Sequence, residues 1–124
     1  DNLLVDDNGR LAVIDFQITG TGAASYDLGY FLSQSLEPEV RRPINDALID
    51  RYFEALGQTG VQFDREFLTR VFRLSTAWCL IYPVSTFAGW EELPEQTRDM
   101  ARVMLRRAVS SIHDQGALAL LPPA

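Results

Sequence analysis

Cysteine and histidine are nearly missing from this sequence: Cys79 and His113 each stand alone among 124 residues. One thiol cannot close an internal disulfide, and one Cys with one His cannot complete an all-Cys/His zinc site. A disulfide-stapled scaffold and a zinc finger are therefore both excluded. Cations are also scarce, with 11 Lys plus Arg against 17 Asp plus Glu and a formal net charge of -6. Sequence-independent binding to nucleic-acid phosphates needs clustered positive charge, so nucleic acid is not an expected partner. No apolar run reaches the ~18 residues of a membrane span, so no membrane partner is expected. The opening Asp1-Asn2-Leu3-Leu4-Val5-Asp6-Asp7 lacks the basic start of a signal peptide, and the expected location is the cytoplasm. It also lacks an initiator methionine and runs straight into apolar residues, so a piece of a longer protein is expected. What remains is a globular composition, 47% hydrophobic and 23% charged, at the size of one domain.

Two short apolar runs, Leu3-Leu4-Val5 and Leu11-Ala12-Val13-Ile14, flank a polar stretch containing Asn8-Gly9, a dipeptide suited to a tight turn, and together they predict a β-hairpin. Phe16 to Tyr26 carries Gly20, Gly22, Thr19, Thr21 and Ser25 with little periodicity and reads as a loop. Asp27 opens a short, deeply packed helix through Leu28-Gly29-Tyr30-Phe31-Leu32, with Asp27 itself a candidate N-cap.

From Pro38 the spacing becomes helical. Val40, Ile44, Leu48, Tyr52 and Leu56 recur every four residues, with Gly57 and Gly60 closing the segment. A second helix is expected from an Asp64 N-cap, with Phe67, Val71, Leu74, Trp78 and Ile81 on one side and Pro83 kinking or ending it by removing the bond to the Cys79 carbonyl. A third runs from about Pro94 to His113, with Met100, Val103, Met104, Ala108 and Ile112 as its buried stripe and Arg98, Arg102 and Arg106 on another side. Gly116 and Pro122-Pro123 end the ordered part. The expected fold class is α+β, mainly α: a β-hairpin followed by a helical bundle, divided into residues 1–33 and a helical subdomain over 34–124.

Asp15 draws attention because it terminates the apolar run Val13-Ile14. A carboxylate at the inner end of a buried strand is costly unless a cation meets it. The hairpin returns Asn2 to the same end of the ribbon, so an amide oxygen and a carboxylate converge. Such a pair suits a hard divalent cation such as Mg²⁺, which takes one or two protein oxygens and completes its shell with phosphate and water. Taken singly, Asn2 and Asp15 read as an exposed terminus and a turn residue.

The run from Asn2 through Asp15-Phe16-Gln17, followed after a glycine-bearing loop by Tyr26-Asp27-Leu28-Gly29-Tyr30-Phe31, resembles the aminoglycoside phosphotransferase, choline-kinase-like and ecdysteroid-kinase-like small-molecule kinases. The resemblance is dense from Asp1 to about Gln34 and weaker beyond, where helical character and the Tyr52-Phe53 position fit. It implies the C-terminal part of a protein-kinase-like C-lobe. In that superfamily the catalytic loop reads His-Gly-Asp, four residues, then Asn, and Asn2 matches that Asn. The general base and the nucleotide-binding lobe are therefore expected upstream, leaving this piece by itself without productive ATP binding.

By the same resemblance Asn2 and Asp15 are the Mg²⁺ ligands that also hold the nucleotide phosphates, and Asp27 supports the catalytic loop by accepting hydrogen bonds from its backbone. The implied cofactors are Mg²⁺ and ATP. The implied partners are ATP, a small-molecule alcohol acceptor and the N-lobe of the parent chain. The implied function is ATP-dependent phosphoryl transfer to a hydroxyl group, the alternative being a non-catalytic kinase-like binding or scaffold module. Gln17 departs from the commoner Gly, which leaves the substrate branch open.

Elsewhere the plainer readings are preferred. Asp6, Asp7 and Asn8 lack the ligand spacing of a calcium loop and read as a solvated turn. Cys79 reads as a buried small hydrophobe, His113 as a residue suited to a helix C-terminus, and Arg98, Arg102, Arg106 and Arg107 as a solvated face paired with Glu95 and Asp99. Tyr82 to Glu92, with Phe87, Gly89, Trp90, Glu91 and Glu92, is the segment best suited to border an acceptor pocket, although a surface connection anchored by Trp90 is the favoured reading. An acidic pocket would imply a cationic acceptor. Carboxylates turned outward would fit an apolar alcohol equally well.

Overall fold

The computed structural model describes residues 2–16 and 19–122. Asp1, Gln17 and Pro123, each used in the sequence reading, lie outside the described residues. Strands β1 (Leu3–Val5) and β2 (Leu11–Val13) form an antiparallel pair with Leu3 opposite Val13, Leu4 opposite Ala12 and Val5 opposite Leu11. The turn between them is made locally. The Asp6 carboxylate accepts from the backbone amides of Asn8 and Arg10 and from Arg10 Nε, while Gly9 takes a φ of 75°. Short polar side chains stabilise turns in this way, and glycine supplies the left-handed step. Asp6–Asp7–Asn8 is thus an exposed turn, as the sequence suggested.

Five helices follow: α1 (Tyr26–Gln34), α2 (Pro38–Gln58), α3 (Arg65–Trp78), α4 (Ile81–Thr86) and α5 (Glu95–Asp114), with 3-10 segments at Phe87–Glu92 and Ala117–Leu120. The mainly helical fold with one small antiparallel sheet agrees with expectation. Pro38 occupies the first turn of α2, and Asp64 caps α3 by accepting from the amides of Glu66 and Phe67 at 2.8 and 3.1 Å. Both are places where those residues satisfy a helix start without cost to the helical bonding. Asp27, by contrast, does not cap α1. Ser25 occupies that position and its hydroxyl turns away to the Leu68 carbonyl, leaving Asp27 exposed within the first turn.

The predicted second helix divides in two. Pro83 has no N–H for the Cys79 carbonyl. That carbonyl instead receives the Tyr82 amide at 3.3 Å and, from α1, Gln34 Nε2 at 3.3 Å. The chain turns at Cys79-Leu80, and α4 begins anew. Tyr82 then fastens α4 to α1, with its hydroxyl 2.5 Å from that of Tyr26 and its ring edge-on to Tyr30.

Leu28 and Leu32 of α1 and Phe72 of α3 form the centre of the core, with Phe31, Leu36, Leu48, Ile49 and Tyr52 packed around them. Alpha5 contributes Ala101, Ala108 and Ile112. Three expected stripes are rotated relative to this core. On α3 the buried side is Leu68, Phe72, Ser75 and Thr76, while Phe67, Trp78 and Ile81 are exposed and Val71 and Leu74 half-buried. On α2, Val40 and Ile44 are exposed and Arg41 and Asn45 buried, while Leu48, Tyr52 and Leu56 of the expected stripe are half-buried, Leu48 and Tyr52 against the core. On α5, Met100 is exposed, Val103 and Met104 are half-buried, and Ala108 and Ile112 are buried as expected.

On α3 the cause is close approach through small residues. A Cβ on Gly29 of α1 would lie 2.7 Å from Ser75 Cβ and 3.3 Å from the Phe72 carbonyl oxygen. The two helices meet on their small side, which turns the bulky side of α3 away.

Polar contacts hold α2 to α5. Arg41 is 1% exposed and donates at 2.5 Å to Asp114, which also receives Arg42 at 2.9 Å. Burial alone would raise the Asp114 carboxyl, but hydrogen bonds from Arg42 and Arg41 outweigh it and hold the group down to about 2. Arg106 and Arg107 bind Glu37, at the start of α2, rather than Glu95 or Asp99, while Arg98 and Arg102 make the expected local pairs. Arg73 caps the end of α5, its Nε donating to the Gln115 carbonyl at 2.6 Å and an Nη to that of Gly116 at 3.0 Å. His113 lies exposed in the last turn, and Cys79 is fully buried, its thiol raised to about 11 chiefly by that burial.

Replacing Gly29 with Ala should lower stability by about 1–3 kcal/mol despite alanine's better helix propensity, seen as a reduced urea midpoint at constant m. The Asp114 pairing is fully stabilising above the ordinary carboxyl value of 3.8 and is lost as pH falls through about 2. Screened by the solvent around exposed Asp114, its loss is worth about 1 kcal/mol or less, and urea midpoints measured across that range should fall less steeply in Asp114→Asn than in the parent.

Candidate active site

The hairpin ladder continues one step past its strands, because the Ile14 amide donates to the Asn2 carbonyl at 2.9 Å. That bond brings the next side chains together. Asn2 Nδ2 donates to Asp15 Oδ2 at 3.5 Å, both groups being exposed. The convergence expected from the hairpin is therefore present.

Asp15 is nevertheless not desolvated. Every residue of both strands is exposed, so the carboxylate does not sit at the end of a buried strand. What distinguishes Asp15 is its backbone. Its φ of 65° makes it the one non-glycine residue with positive φ among those described. An L-residue in this region is strained, and Asp is among the few that tolerate it singly.

Asn2 and Asp15 open onto a cleft of about 1020 Å³ lined also by one face of α1 and one face of α5. On α1 the lining residues are Asp27, Tyr30, Phe31 and Gln34, spaced by three, one and three positions, which is a single helical face. On α5 they include Gln96, Met100, Met104 and Arg107, again one face. All three predicted site residues thus share one cavity. Burial and, less strongly, neighbouring Tyr82 and Cys79 raise the Tyr30 hydroxyl above its ordinary value.

The α5 wall was not recognised from sequence as part of a site, since Met100 and Met104 fit a core stripe equally well. Their signal was their membership, with Gln96 and Arg107, of a face of mixed polarity. The segment Tyr82 to Glu92 contributes nothing to the cleft. Phe87 and Trp90 stack at 4.6 Å between centroids, Arg102 lies over the Trp90 ring, and Glu91 and Glu92 are exposed. It is the surface connection that was favoured.

Among the described residues no group of three or more His, Cys, Asp and Glu side chains is gathered in the manner of a metal site. The donors at the hairpin end are one carboxylate and one amide. They fit a hard cation that takes few protein oxygens and keeps water and phosphate, and rotating the Asn2 amide would turn its oxygen toward the site. The profile of the phosphotransferase enzyme family matches residues 1–69, more than half of the 124.

The chain belongs to that family. The matched phosphotransferase region takes in the hairpin, α1, α2 and the start of α3, and so includes Asn2, Asp15 and Asp27. Neither a curated protein nor a solved structure matches the chain significantly. The sequence contains no lysine, so a phosphate-binding lysine of the kind that kinases carry is not among these residues. No helix of the described residues is long and apolar enough to cross a membrane.

Because Asp15 is held at positive φ, Asp15→Gly should be more stable than Asp15→Ala by about 1 kcal/mol. Urea titration of the two variants measures this, and equal stability would remove the claim of backbone strain.

Proposed function

We propose that this chain carries the metal-binding and acceptor-facing part of an ATP-dependent phosphotransferase that modifies a hydroxyl group on a small molecule. The observation that carries the reading is the meeting of Asn2 and Asp15 at the mouth of a cleft that also holds Asp27, in a chain of the phosphotransferase family. On this reading the fold is the C-terminal part of a protein-kinase-like C-lobe, working in the cytoplasm.

Asn2 and Asp15 would hold Mg²⁺ and, through it, the nucleotide phosphates. Bound there, Mg²⁺ would neutralise charge on the phosphoryl oxygens during transfer. The strained backbone at Asp15 keeps its carboxylate in place beforehand, so little reorganisation accompanies binding. Asp27 would accept hydrogen bonds from the backbone of the loop preceding Asn2 and so position it. The cleft between α1 and α5 gives the acceptor a place beside the metal-binding pair. The base that takes the hydroxyl proton and the nucleotide-binding lobe would come from the parent chain upstream.

A second reading, a non-catalytic kinase-like binding or scaffold module, draws support from the hairpin, where Leu3, Leu4, Val5, Leu11 and Val13 are all exposed. Exposed apolar surface of this kind is available to a partner.

In the full-length protein, Asp15→Ala and Asn2→Ala should each reduce Mg²⁺-dependent phosphorylation of an alcohol by about 100-fold or more, with chelation of Mg²⁺ abolishing it. Coupled measurement of ADP release and phosphorylated product reads both. Unchanged turnover in Asp15→Ala removes the metal role, and Mg²⁺-ATP-dependent product formation eliminates the scaffold reading.

A further inference from the structure

The bulky side of α3 that turns away from the core forms a continuous apolar seam. Phe67, Val71, Leu74 and Trp78 follow one another at steps of four, three and four, so they lie on a single face over about 16 Å of helix. Phe67 and Trp78 are 60% and 64% exposed, and Val71 and Leu74 are half-buried. Val71, Leu74 and Trp78 line a groove of about 530 Å³ together with Leu118, Leu121 and, from α1, Tyr26. A continuous apolar surface of this kind marks an interface rather than a solvated face.

We infer that this groove seats an amphipathic helix of the parent chain, the one leading into the loop that precedes Asn2; the choice of that segment rests on the phosphotransferase reading above. Apart from the exposed Trp78 indole, the polar side chains in the lining are already engaged. Ser75 Oγ donates to the Val71 carbonyl at 2.8 Å, and the Tyr26 hydroxyl lies 2.5 Å from that of Tyr82. An occupant's backbone finds few partners here, so it must satisfy its own N–H and C=O groups, as a helix does. Alternating steps of three and four along α3 are also the spacing that suits a second helix lying nearly along the first, its apolar residues falling between those of α3.

The position of the groove selects the segment. Tyr26 lines it, and the next residue, Asp27, lines the cleft at the end of the hairpin. The proposed function lays the loop preceding Asn2 against Asp27, so the chain entering that loop arrives beside Tyr26, where the groove opens. The same end of α1 is fastened to α3 by the Ser25 hydroxyl, which donates to the Leu68 carbonyl at 3.0 Å. A helix ending there needs only about three turns to cover the seam from Phe67 to Trp78. Seated in this way, it joins the loop that carries Asn2 to the helical body.

Photocrosslinking of the full-length protein identifies the occupant. Trp78→p-benzoylphenylalanine and Leu118→p-benzoylphenylalanine, both at exposed positions of the groove, are irradiated in the monomer and their crosslinks mapped by mass spectrometry. Each should join residues of the same chain N-terminal to Asn2, at sites three or four positions apart. In parallel, Leu118→Cys should react with a maleimide about ten-fold more slowly than Glu66→Cys, an exposed position outside the groove, at a rate independent of protein concentration.

Equal labelling of the two thiols, an absence of crosslinks, or crosslinks that join two copies, reach beyond Ala124 or stay within these 124 residues overturns the inference. Protection with upstream crosslinks, in a protein that transfers no phosphoryl group from Mg²⁺-ATP to any alcohol, counts against the phosphotransferase reading and leaves the seated helix standing. Transfer by a protein whose groove labels freely does the opposite.

Discussion

The missing side chain at Gly29 is the constraint on which the arrangement turns. Alpha1 is short, and it must touch α2, α3 and α5 within a few turns. It can do so because its backbone approaches Ser75 and the Phe72 carbonyl closely enough that a Cβ would collide. Packing at that distance places Leu28, Leu32 and Phe72 at the centre and leaves the opposite face of α1 free. The same face carries Asp27, Tyr30, Phe31 and Gln34 into the cleft. Core and cleft meet on this helix, where Phe31 both packs against the core and lines the cavity.

Gln34 connects the two regions. Its side-chain amide donates to the Cys79 carbonyl that Pro83 leaves without its helical partner, and its backbone carbonyl receives Arg107. A proline break in one part of the chain is thus tied to the orientation of an arginine in the wall of the cleft. The ion pair between buried Arg41 and the more open Asp114 has a comparable role for α2 and α5. Losing Asp114 would leave the buried Arg41 charge without compensation. The pair fixes which side of α2 meets α5, so a charged face is buried and Val40 and Ile44 remain outside.

At the site, two kinds of information combine. Local chain geometry joins Asn2 to Asp15, through a hairpin whose turn is closed by its own Asp6 carboxylate and Gly9. Tertiary packing adds Asp27 and the α5 face. Among the residues lining the cavity, Arg107 is engaged by Glu37 and the Gln34 carbonyl, while Asp15 and Asp27 contribute carboxylates.

The sequence by itself determined the elements governed by neighbours in the chain. These were the hairpin around Asn8-Gly9, the caps at Pro38 and Asp64, the break near Pro83, and the juxtaposition of Asn2 with Asp15. It also carried the family, because Asn2, Asp15 and Asp27 lie in one continuous stretch. Only the tertiary structure decided which helix faces are buried and which line the cleft. Apolar periodicity identifies a hydrophobic side, but Phe67, Trp78 and Met100 show that such a side need not face the core. The physical reason is that burial depends on how closely partner helices can approach, and Gly29, Ser75 and Arg41 set that approach through size and charge. Neither property raises the hydrophobicity of the face that carries it.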